Sequence, residues 1–424
     1  MEILLSLSIC LLAGLLLSRL AKLLQLPAVT AYLVAGILIG PFVLGRLGIE
    51  GIGFPTLESV EHFSLISDLA LGFIAFAIGN EFRLSQLKKI GKQAAVVGIL
   101  QAVVTTLLVD AVLIGLHFVM GDVLPLPVAI TLGAIAAATA PAATLMVVKQ
   151  YKAKGPVTSM LLPVVALDDA VGLVLFAISF GVARSLESGS VNILSVVVEP
   201  ILEVVGSLAL GALMGFLFNL TERVFHSRSK RMAVSVTFVL LTVALAKIEI
   251  PIAEGVTLVF SSLLTCMMLG TVFCNICDFS EELMERVDRW SAPLLVLFFV
   301  LSGAELNLKV FSSLIIVLIG VVYIVSRSAG KMLGAFASAK MTKCEPNIVK
   351  YLGITLLPQA GVALGMANDA NAILSGGELV LNITLFAVLV YEMVGPFMTK
   401  KALEAAGEIK PEGKTSARDA AAKG

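Results

Sequence analysis

Two adjacent carboxylates, Asp168 and Asp169, lie in the middle of a stretch that is otherwise apolar. The apolar segment around them, residues 156–183, is long enough to cross a bilayer as a helix. A charged side chain at that depth costs about 2.5–3.5 kcal/mol on insertion scales, and two neighbouring carboxylates also repel each other. Acidic residues inside membrane segments mark ion or proton pathways, so this pair is the first candidate site.

The composition places the pair in a membrane protein rather than in a soluble core. Hydrophobic residues make up 58% of the chain and charged residues 14%, whereas soluble domains have about 45–50% and about 25%. The formal net charge is zero, and no basic patch carries interleaved aromatic residues, so we expect no nucleic-acid partner. The lipid bilayer is the expected environment.

The apolar residues fall into about thirteen blocks of membrane-spanning length, which predicts an all-α polytopic membrane protein. The blocks are 2–18, 28–45, 64–80, 93–117, 126–148, 156–183, 194–221, 232–250, 253–274, 289–306, 311–339, 349–369 and 378–398. We assign residues 1–403 to one transmembrane domain. The segment 404–424 is rich in Ala, Lys and Gly, and we expect it to form a disordered cytoplasmic tail.

Lysine and arginine are distributed unevenly between alternate loops, which predicts the orientation. One set of loops is rich in them and includes residues 83–92, 149–154, 223–231 and 340–350. The other set holds little beyond Arg46, Arg184, Lys247 and Lys309. We therefore expect the C-terminus inside and the N-terminus outside. The loop at 278–289 departs from the trend because acidic residues outnumber basic ones there.

Two of the apolar blocks carry a proline at mid-span. The first contains Thr139, Ala140 and Pro141, and the second contains the run 358–361, with Pro358, Gln359 and Gly361. Proline removes a backbone donor, and irregular backbone in a membrane is tolerated only where protein or water covers it. Interrupted segments at corresponding positions of two halves indicate inverted repeats and a transport site at their crossing. The alternative is two ordinary proline kinks.

Candidate cationic partners for the aspartates lie in the block 311–339. Arg327 and Lys331 stand four residues apart, so they share one helix face, and both lie inside the span. Snorkelling of the long side chains to the interface is the alternative for each. Neighbouring aspartates on a helix point about 100° apart, so we expect one to pair with a cation and the other to face a cavity.

Four stretches resemble the bacterial monovalent cation:proton antiporters of the second cation/proton antiporter family, in the electrogenic two-aspartate branch of sodium/proton antiporters. They are residues 27–45, 71–81, 168–172 and 358–365. The resemblance implies the sodium/proton antiporter fold, in which thirteen helices form inverted repeats and two unwound helices cross. It also implies a homodimer, with dimerisation and core helices interleaved in the chain and a core that moves like an elevator.

The resemblance also assigns roles to individual residues. Asp169 resembles the cation-binding aspartate, and Asp168 resembles the one that pairs with a core lysine, here Lys331. Thr139 resembles the hydroxyl residue of the unwound fifth helix, so the implied Na⁺ ligands are Asp169, Asp168 and Thr139. Some branches have aspartate where this chain has Ala140. The carboxylate that would offset the helix-end dipoles there is missing, which leaves the ion stoichiometry open.

The expected function is therefore exchange of Na⁺ or Li⁺ for protons across the bacterial cytoplasmic membrane. No enzymatic activity and no cofactor are expected. A K⁺/H⁺ antiporter of the same family remains an alternative, because the sequence carries no selectivity rule that we can interpret. A sodium:organic-solute symporter of similar fold would need more polar residues within the membrane segments than the sequence has. An ion channel would need a repeated filter sequence, and we find none.

Overall fold

The computed structural model describes residues 2–24, 26–48, 53–80, 82–188, 193–248, 250–253, 256–258, 260–306 and 308–409. Sixteen α-helices occupy most of these residues. In chain order they are α1 (Glu2–Leu23), α2 (Ala28–Ile39), α3 (Leu57–Glu61), α4 (Ser64–Asn80), α5 (Leu84–Met120), α6 (Leu126–Ile135), α7 (Pro141–Tyr151), α8 (Pro156–Ser188), α9 (Ile193–Val224), α10 (Arg228–Ala246), α11 (Ser262–Ile276), α12 (Ser280–Glu305), α13 (Leu314–Met341), α14 (Pro346–Thr355), α15 (Gly361–Ile373) and α16 (Gly377–Ala405).

The helices account for every apolar block predicted from the sequence. Within the described residues, eight of them are long and apolar enough to cross a membrane: α1, α5, α8, α9, α10, α12, α13 and α16. Three further blocks correspond to the shorter helices α2, α4 and α11, and the two proline-containing blocks are each split into a pair of helices.

Several block boundaries differ from the helix bounds, and at one of them the secondary structure itself differs from the prediction. The block at 253–274 begins with residues that are not helical, and α11 starts only at Ser262. The strands β1 (Ile250–Ala253) and β2 (Val256–Leu258) pair antiparallel immediately before it. β-branched residues favour extended backbone, and Pro251 cannot continue a helix, so hydrophobicity alone mistook a short hairpin for the start of a span.

The two interruptions lie where the sequence predicts them. The first separates α6 from α7 over residues 136–140, and the second separates α14 from α15 over residues 356–360. Other prolines, including Pro163, Pro293 and Pro396, lie inside continuous helices. Proline alone therefore does not break a helix in this protein.

Two clusters hold most of the buried hydrophobic residues that the structure describes, and a smaller third cluster combines α5, α7, α8, α13 and α14. One of the two larger clusters combines α2, α4, α11 and α12 and contains Leu33, Phe76, Phe273 and Phe299. The other combines α5, α6, α8, α13, α15 and α16 around residues such as Tyr323. Within the second group α13 packs along α5, and α8 packs against both α5 and α6. Both interruptions border this group.

The acid-rich start of α12 explains the loop that departs from the charge trend. Glu281 pairs with Arg83 (N–O 3.3 Å), Glu282 pairs with Arg228 (3.5 Å), and Asp288 pairs with Lys149 (2.7 Å). These bases come from three loops that the sequence analysis places on the same side as the acids. The acids and bases therefore meet at one end of the bundle.

The end of the chain is more ordered than its composition predicts. The disordered tail was predicted from Glu404, but α16 runs to Ala405 and the backbone is described to Ile409. Glu408 is buried, and its carboxylate accepts hydrogen bonds from the backbone N–H groups of Val157 (2.6 Å) and Thr158 (2.8 Å). The first N–H groups of a helix have no hydrogen-bond partner within that helix, and here those of α8 hold the segment around Glu408 in place. Residues 410–424 lie outside the described part.

Candidate functional site

Asp168 lies at the centre of α8, and its side chain is 0% exposed. One carboxylate oxygen, Oδ2, accepts hydrogen bonds from the Lys331 Nζ (2.7 Å) and from the Thr139 hydroxyl (2.6 Å). The other oxygen, Oδ1, accepts from the amide Nε2 of Gln101. A buried carboxylate is costly unless it is paired and hydrogen-bonded, and here both oxygens are engaged.

Lys331 reaches this carboxylate from α13 and is also 0% exposed. Besides Asp168, its ammonium donates to the Gln101 Oε1 (3.1 Å) and to the carbonyl of Ala137 in the first interruption. An ammonium has three donors, and these contacts use all of them. Lys331 therefore does not snorkel. It lies in a site built for its charged form.

Arg327 lies one turn before Lys331 on the same helix face and makes a different set of contacts. Its guanidinium donates to the carbonyls of Ala136 (3.0 Å), Ala138 (2.6 Å) and Leu357 (2.8 Å). The first two belong to the interruption after α6 and the third to the one after α14. Its Cζ also lies 4.5 Å from the ring centroid of Tyr391. Arg327 thus ties both interruptions to α13.

The two interruptions also contact each other directly. The backbone N–H of Ala140 donates to the carbonyl of Pro358 (2.8 Å), and the Gln359 amide donates to the carbonyl of Ile135 (3.0 Å). The same amide donates to the hydroxyl of Tyr323 (3.0 Å). Interrupted helices leave carbonyl and N–H groups without partners, and these cross-links satisfy several of them. Thr139, Ala140, Pro358 and Gln359 all lie at this crossing.

Two residues predicted to be unwound are in fact the first residues of helices. Pro141 begins α7, and Gly361 begins α15. The first position of a helix needs no internal hydrogen bond from its N–H, so proline is favoured there and marks the end of the interruption. The unwound residues lie just before each of them.

Positive charge compensates the carbonyl ends of the two interrupted helices, but it does not replace the carboxylate that is missing at Ala140. α6 and α14 both end at the crossing, so the negative ends of their dipoles meet there. The guanidinium of Arg327 bonds carbonyls beyond both ends, and the ammonium of Lys331 bonds one beyond the first. Positive charge from α13 therefore stabilises the carbonyl ends of the broken helices.

Some predicted contacts are not tested. The backbone of Asp169 belongs to α8, but its side chain lies outside the part of the chain that the structure describes, so its role in ion binding stays a prediction.

Gln101 was not predicted as a site residue. Its signal is a single amide inside the apolar run 94–108. A polar side chain there needs a buried partner, but nothing in the sequence indicates which one.

Comparison with known proteins identifies the family. The family described as "Sodium/hydrogen exchanger, transmembrane" matches residues 6–405. The chain belongs to this family. The exchanger is 25% identical over 379 residues to the high-affinity Na⁺/H⁺ antiporter NhaS3 of Synechocystis sp., covering 82% of this chain and 78% of that protein.

Solved structures show the same fold. The exchanger is similar to the sodium proton antiporter MjNhaP1 from Methanocaldococcus jannaschii at pH 8, with a TM-score of 0.65, 22% identity and 96% of each chain covered. The electron microscopy structure of MjNhaP1 gives a TM-score of 0.70, 20% identity and 97% of each chain. The predicted fold class and the predicted relationship to monovalent cation:proton antiporters are confirmed.

Proposed function

We propose that this exchanger moves Na⁺ (or Li⁺) against protons across the cytoplasmic membrane of a bacterium by secondary active transport. The observation that carries the proposal is the ion pair of Asp168 and Lys331, fully buried where two interrupted helices cross. A buried pair of this kind is weak evidence for stability, because its desolvation offsets its attraction. Inside a membrane segment, titratable groups of opposite charge are better explained by proton-coupled transport.

The proposed cation site combines three oxygen-bearing side chains. Asp169 supplies the principal carboxylate, and Asp168 and Thr139 supply further oxygens. Hard cations such as Na⁺ prefer oxygen ligands. The Thr139 hydroxyl already lies 2.6 Å from the Asp168 carboxylate, which supports a shared set of oxygens beside the first interruption.

Lys331 couples the cation to protons in this proposal. With the cation site empty, its ammonium pairs with Asp168. Entry of Na⁺ beside the carboxylates brings a second positive charge into competition for them, so the ammonium releases a proton and the pair separates. One proton leaves Asp169 and another leaves Lys331 for each Na⁺ bound, which makes exchange electrogenic. Arg327 has no such role, because a guanidinium does not titrate.

Movement of one helix group against the other would expose the site to each side of the membrane in turn. In this elevator motion, the helices around Tyr323 would move and the cluster of α2, α4, α11 and α12 would stay fixed, with Ala140 of the crossing lying at the boundary because it packs in the second of these clusters. We further propose that the fixed group forms a homodimer. The exposed apolar side chains of α1, including Leu4, Leu12 and Leu16, supply a surface for lipid or a second copy.

The central test uses purified protein in liposomes that carry a proton gradient and a pH-sensitive dye. Addition of Na⁺ or Li⁺ should dequench the dye, and a response to K⁺ alone would instead identify a K⁺/H⁺ exchanger. Asp169→Asn should abolish the Na⁺ response while the protein still inserts. Asp122→Asn is a matched control, because Asp122 is exposed in the turn between α5 and α6. Substantial Na⁺-dependent dequenching by Asp169→Asn would contradict the cation site.

The coupling role is tested by the response to membrane potential. Wild-type Na⁺ flux should respond to a potential set with valinomycin and K⁺, whereas Lys331→Gln should exchange one for one and not respond. Lys340→Gln serves as the control, because Lys340 lies on the same helix and is exposed. Equal responses of wild type and Lys331→Gln would show that Lys331 does not carry the second proton.

The proposed orientation has its own test. A cysteine introduced in the loop after α8 should react with an impermeant thiol reagent added to intact cells, and one in the 150–154 loop should not. The native Cys344 is partly exposed, so it is first replaced by serine. The reverse labelling pattern would invert the proposed sidedness.

A further inference from the structure

A single neutral side chain bonds both members of the buried ion pair. The amide of Gln101, on α5, donates from Nε2 to the Asp168 Oδ1 and accepts at Oε1 from the Lys331 Nζ (3.1 Å). The same Nε2 also donates to the carbonyl of Gly98 (3.0 Å), and the Gln101 side chain is 0% exposed. Gln101 therefore has a bond to each charge in addition to the direct contact between them.

The packing of α5 against α13 fixes the position of the Gln101 amide along α13. A Cβ added at Gly334 would lie 2.8 Å from the Gln101 Cα, and one added at Gly330 would lie 2.8 Å from the Thr105 Cα. Real side chains do not approach so closely, so the two glycines allow α5 to rest on the backbone of α13. Lys331 directly follows Gly330, and its ammonium lies 3.1 Å from the Gln101 Oε1.

These contacts stabilise one state of the site more than the other. In the ion-free state the ammonium has three acceptors, and Gln101 is one of them. Once Lys331 has given up its proton and left the pair, the Gln101 Oε1 loses a charged donor. Hydrogen bonds to charged groups are stronger than those between neutral groups. Gln101 thus favours the paired, proton-loaded form over the Na⁺-loaded form.

We propose that Gln101 is a positioning residue that holds Asp168 and Lys331 in their paired form and thereby raises the Na⁺ concentration needed for half-maximal exchange. This inference rests on the proposed Na⁺/H⁺ exchange. Gln101 acts through the pair and does not itself need to contact the cation. A residue that served only to pack α5 would lower the amount or the maximal rate of the protein without improving its apparent affinity for Na⁺.

The first experiment replaces the amide by an apolar side chain of similar length. Gln101→Met should lower the apparent KM for Na⁺ by roughly three- to tenfold, because the paired state loses the hydrogen bond from the Lys331 ammonium to Gln101, which the Na⁺-loaded state does not have. Thr105→Val is the matched control. Thr105 is equally buried one turn along α5 and bonds only the Gln101 backbone carbonyl among the described contacts, so this change should leave KM unaltered.

The second experiment removes the pair itself. In the Lys331→Gln background there is no ammonium for Gln101 to hold, so adding Gln101→Met should change KM much less than it does in the wild type. The comparison is a double-mutant cycle, and its interaction term should be clearly different from zero. Equal KM ratios in both backgrounds would show that Gln101 acts independently of Lys331.

The outcomes separate this inference from the proposed function. A wild type that does not exchange Na⁺ for protons would overturn the proposed function. A wild type that exchanges, with a KM for Gln101→Met that is unchanged or higher, would overturn the role of Gln101 alone. Should the methionine variant fail to insert, Gln101→Asn, whose amide is one methylene too short to reach both partners, is tested by Na⁺-dependent thermal stabilisation in detergent. An increase in melting temperature on adding Na⁺ that is larger than in the wild type supports the inference, and an equal increase overturns it.

Discussion

Charged side chains serve different purposes in two regions of this exchanger. At the crossing, Arg327 and Lys331 are 0% exposed and are surrounded by backbone carbonyls and by the Asp168 carboxylate. At the start of α12, the pair of Lys149 and Asp288 has side chains 29% and 35% exposed. The residue types are the same, but water competes for the second pair and not for the first.

This difference decides how much each charge matters. Exposed ion pairs contribute about 0–1 kcal/mol, because solvent screens them and their side chains lose freedom. Removing one partner from a buried pair costs about 3–5 kcal/mol, because the other charge is left without compensation. The crossing is therefore the place where a single substitution has a large effect, and the α12 end of the bundle should tolerate change. Three predictions test this contrast, from the largest effect to the smallest.

The largest effect is expected at Arg327. Arg327→Met leaves the carbonyls of Ala136, Ala138 and Leu357 without their donor, so we expect a loss of at least about 3 kcal/mol of stability, together with loss of exchange. Arg327→Lys should recover only part of the lost stability, because an ammonium donates from a single nitrogen and cannot reach the carbonyls of both interruptions. Thermal unfolding in detergent measures the stability of both variants. A lysine variant as stable as wild type would show that the charge alone matters.

An intermediate effect is expected at Glu408. Its carboxylate caps α8 from the far end of the chain, so Glu408→Ala should cost about 1–2 kcal/mol, as loss of a helix cap does. Hydrogen exchange should increase in the peptide that covers residues 155–160 and not elsewhere in α8. Glu404→Ala is the control, because Glu404 contacts only Lys400 and Lys401 in the described hydrogen bonds and ion pairs. Unchanged exchange at 155–160 would mean that the cap does not persist in solution.

The smallest effect is expected at Lys149. Lys149→Met removes its pair with Asp288, and we expect a loss below about 1 kcal/mol that disappears at high salt. Exchange should continue at the wild-type rate. A loss comparable to that of Arg327→Met would remove the distinction between the two regions.

The sequence predicts the interruptions well because their signals are local. A proline preceded by small and hydroxyl residues, as in Thr139, Ala140 and Pro141, points to the first one, although Ser291, Ala292 and Pro293 form the same pattern inside the continuous helix α12. Proline by itself is not enough, since Pro163 lies inside the continuous helix that carries Asp168. Whether a helix is interrupted at a proline depends on the helices packed around it, and the composition of the segment does not reveal those neighbours.

The contacts that the sequence could not supply are long-range. Gln101 and Lys331 are 230 positions apart, and only the packing of α5 on α13 brings them together. Glu408 sits in a segment whose composition is typical of disorder, and its order comes from the orphan N–H groups of another helix. Arg327 was recognised as an intramembrane cation, but its carbonyl partners belong to backbone that becomes available only once two other helices are interrupted.

The cap on α8 has a consequence for how this protein is made. Val157 and Glu408 are 251 positions apart, so the ribosome has synthesised nearly the whole described chain before the cap exists. The helix that carries Asp168 must therefore enter the membrane with the N–H groups of its first turn still open to water. Its final hydrogen bonds form only after α16 has been inserted. Synthesis of the segment that carries Glu408 thus completes a helix that was begun in the first half of the chain.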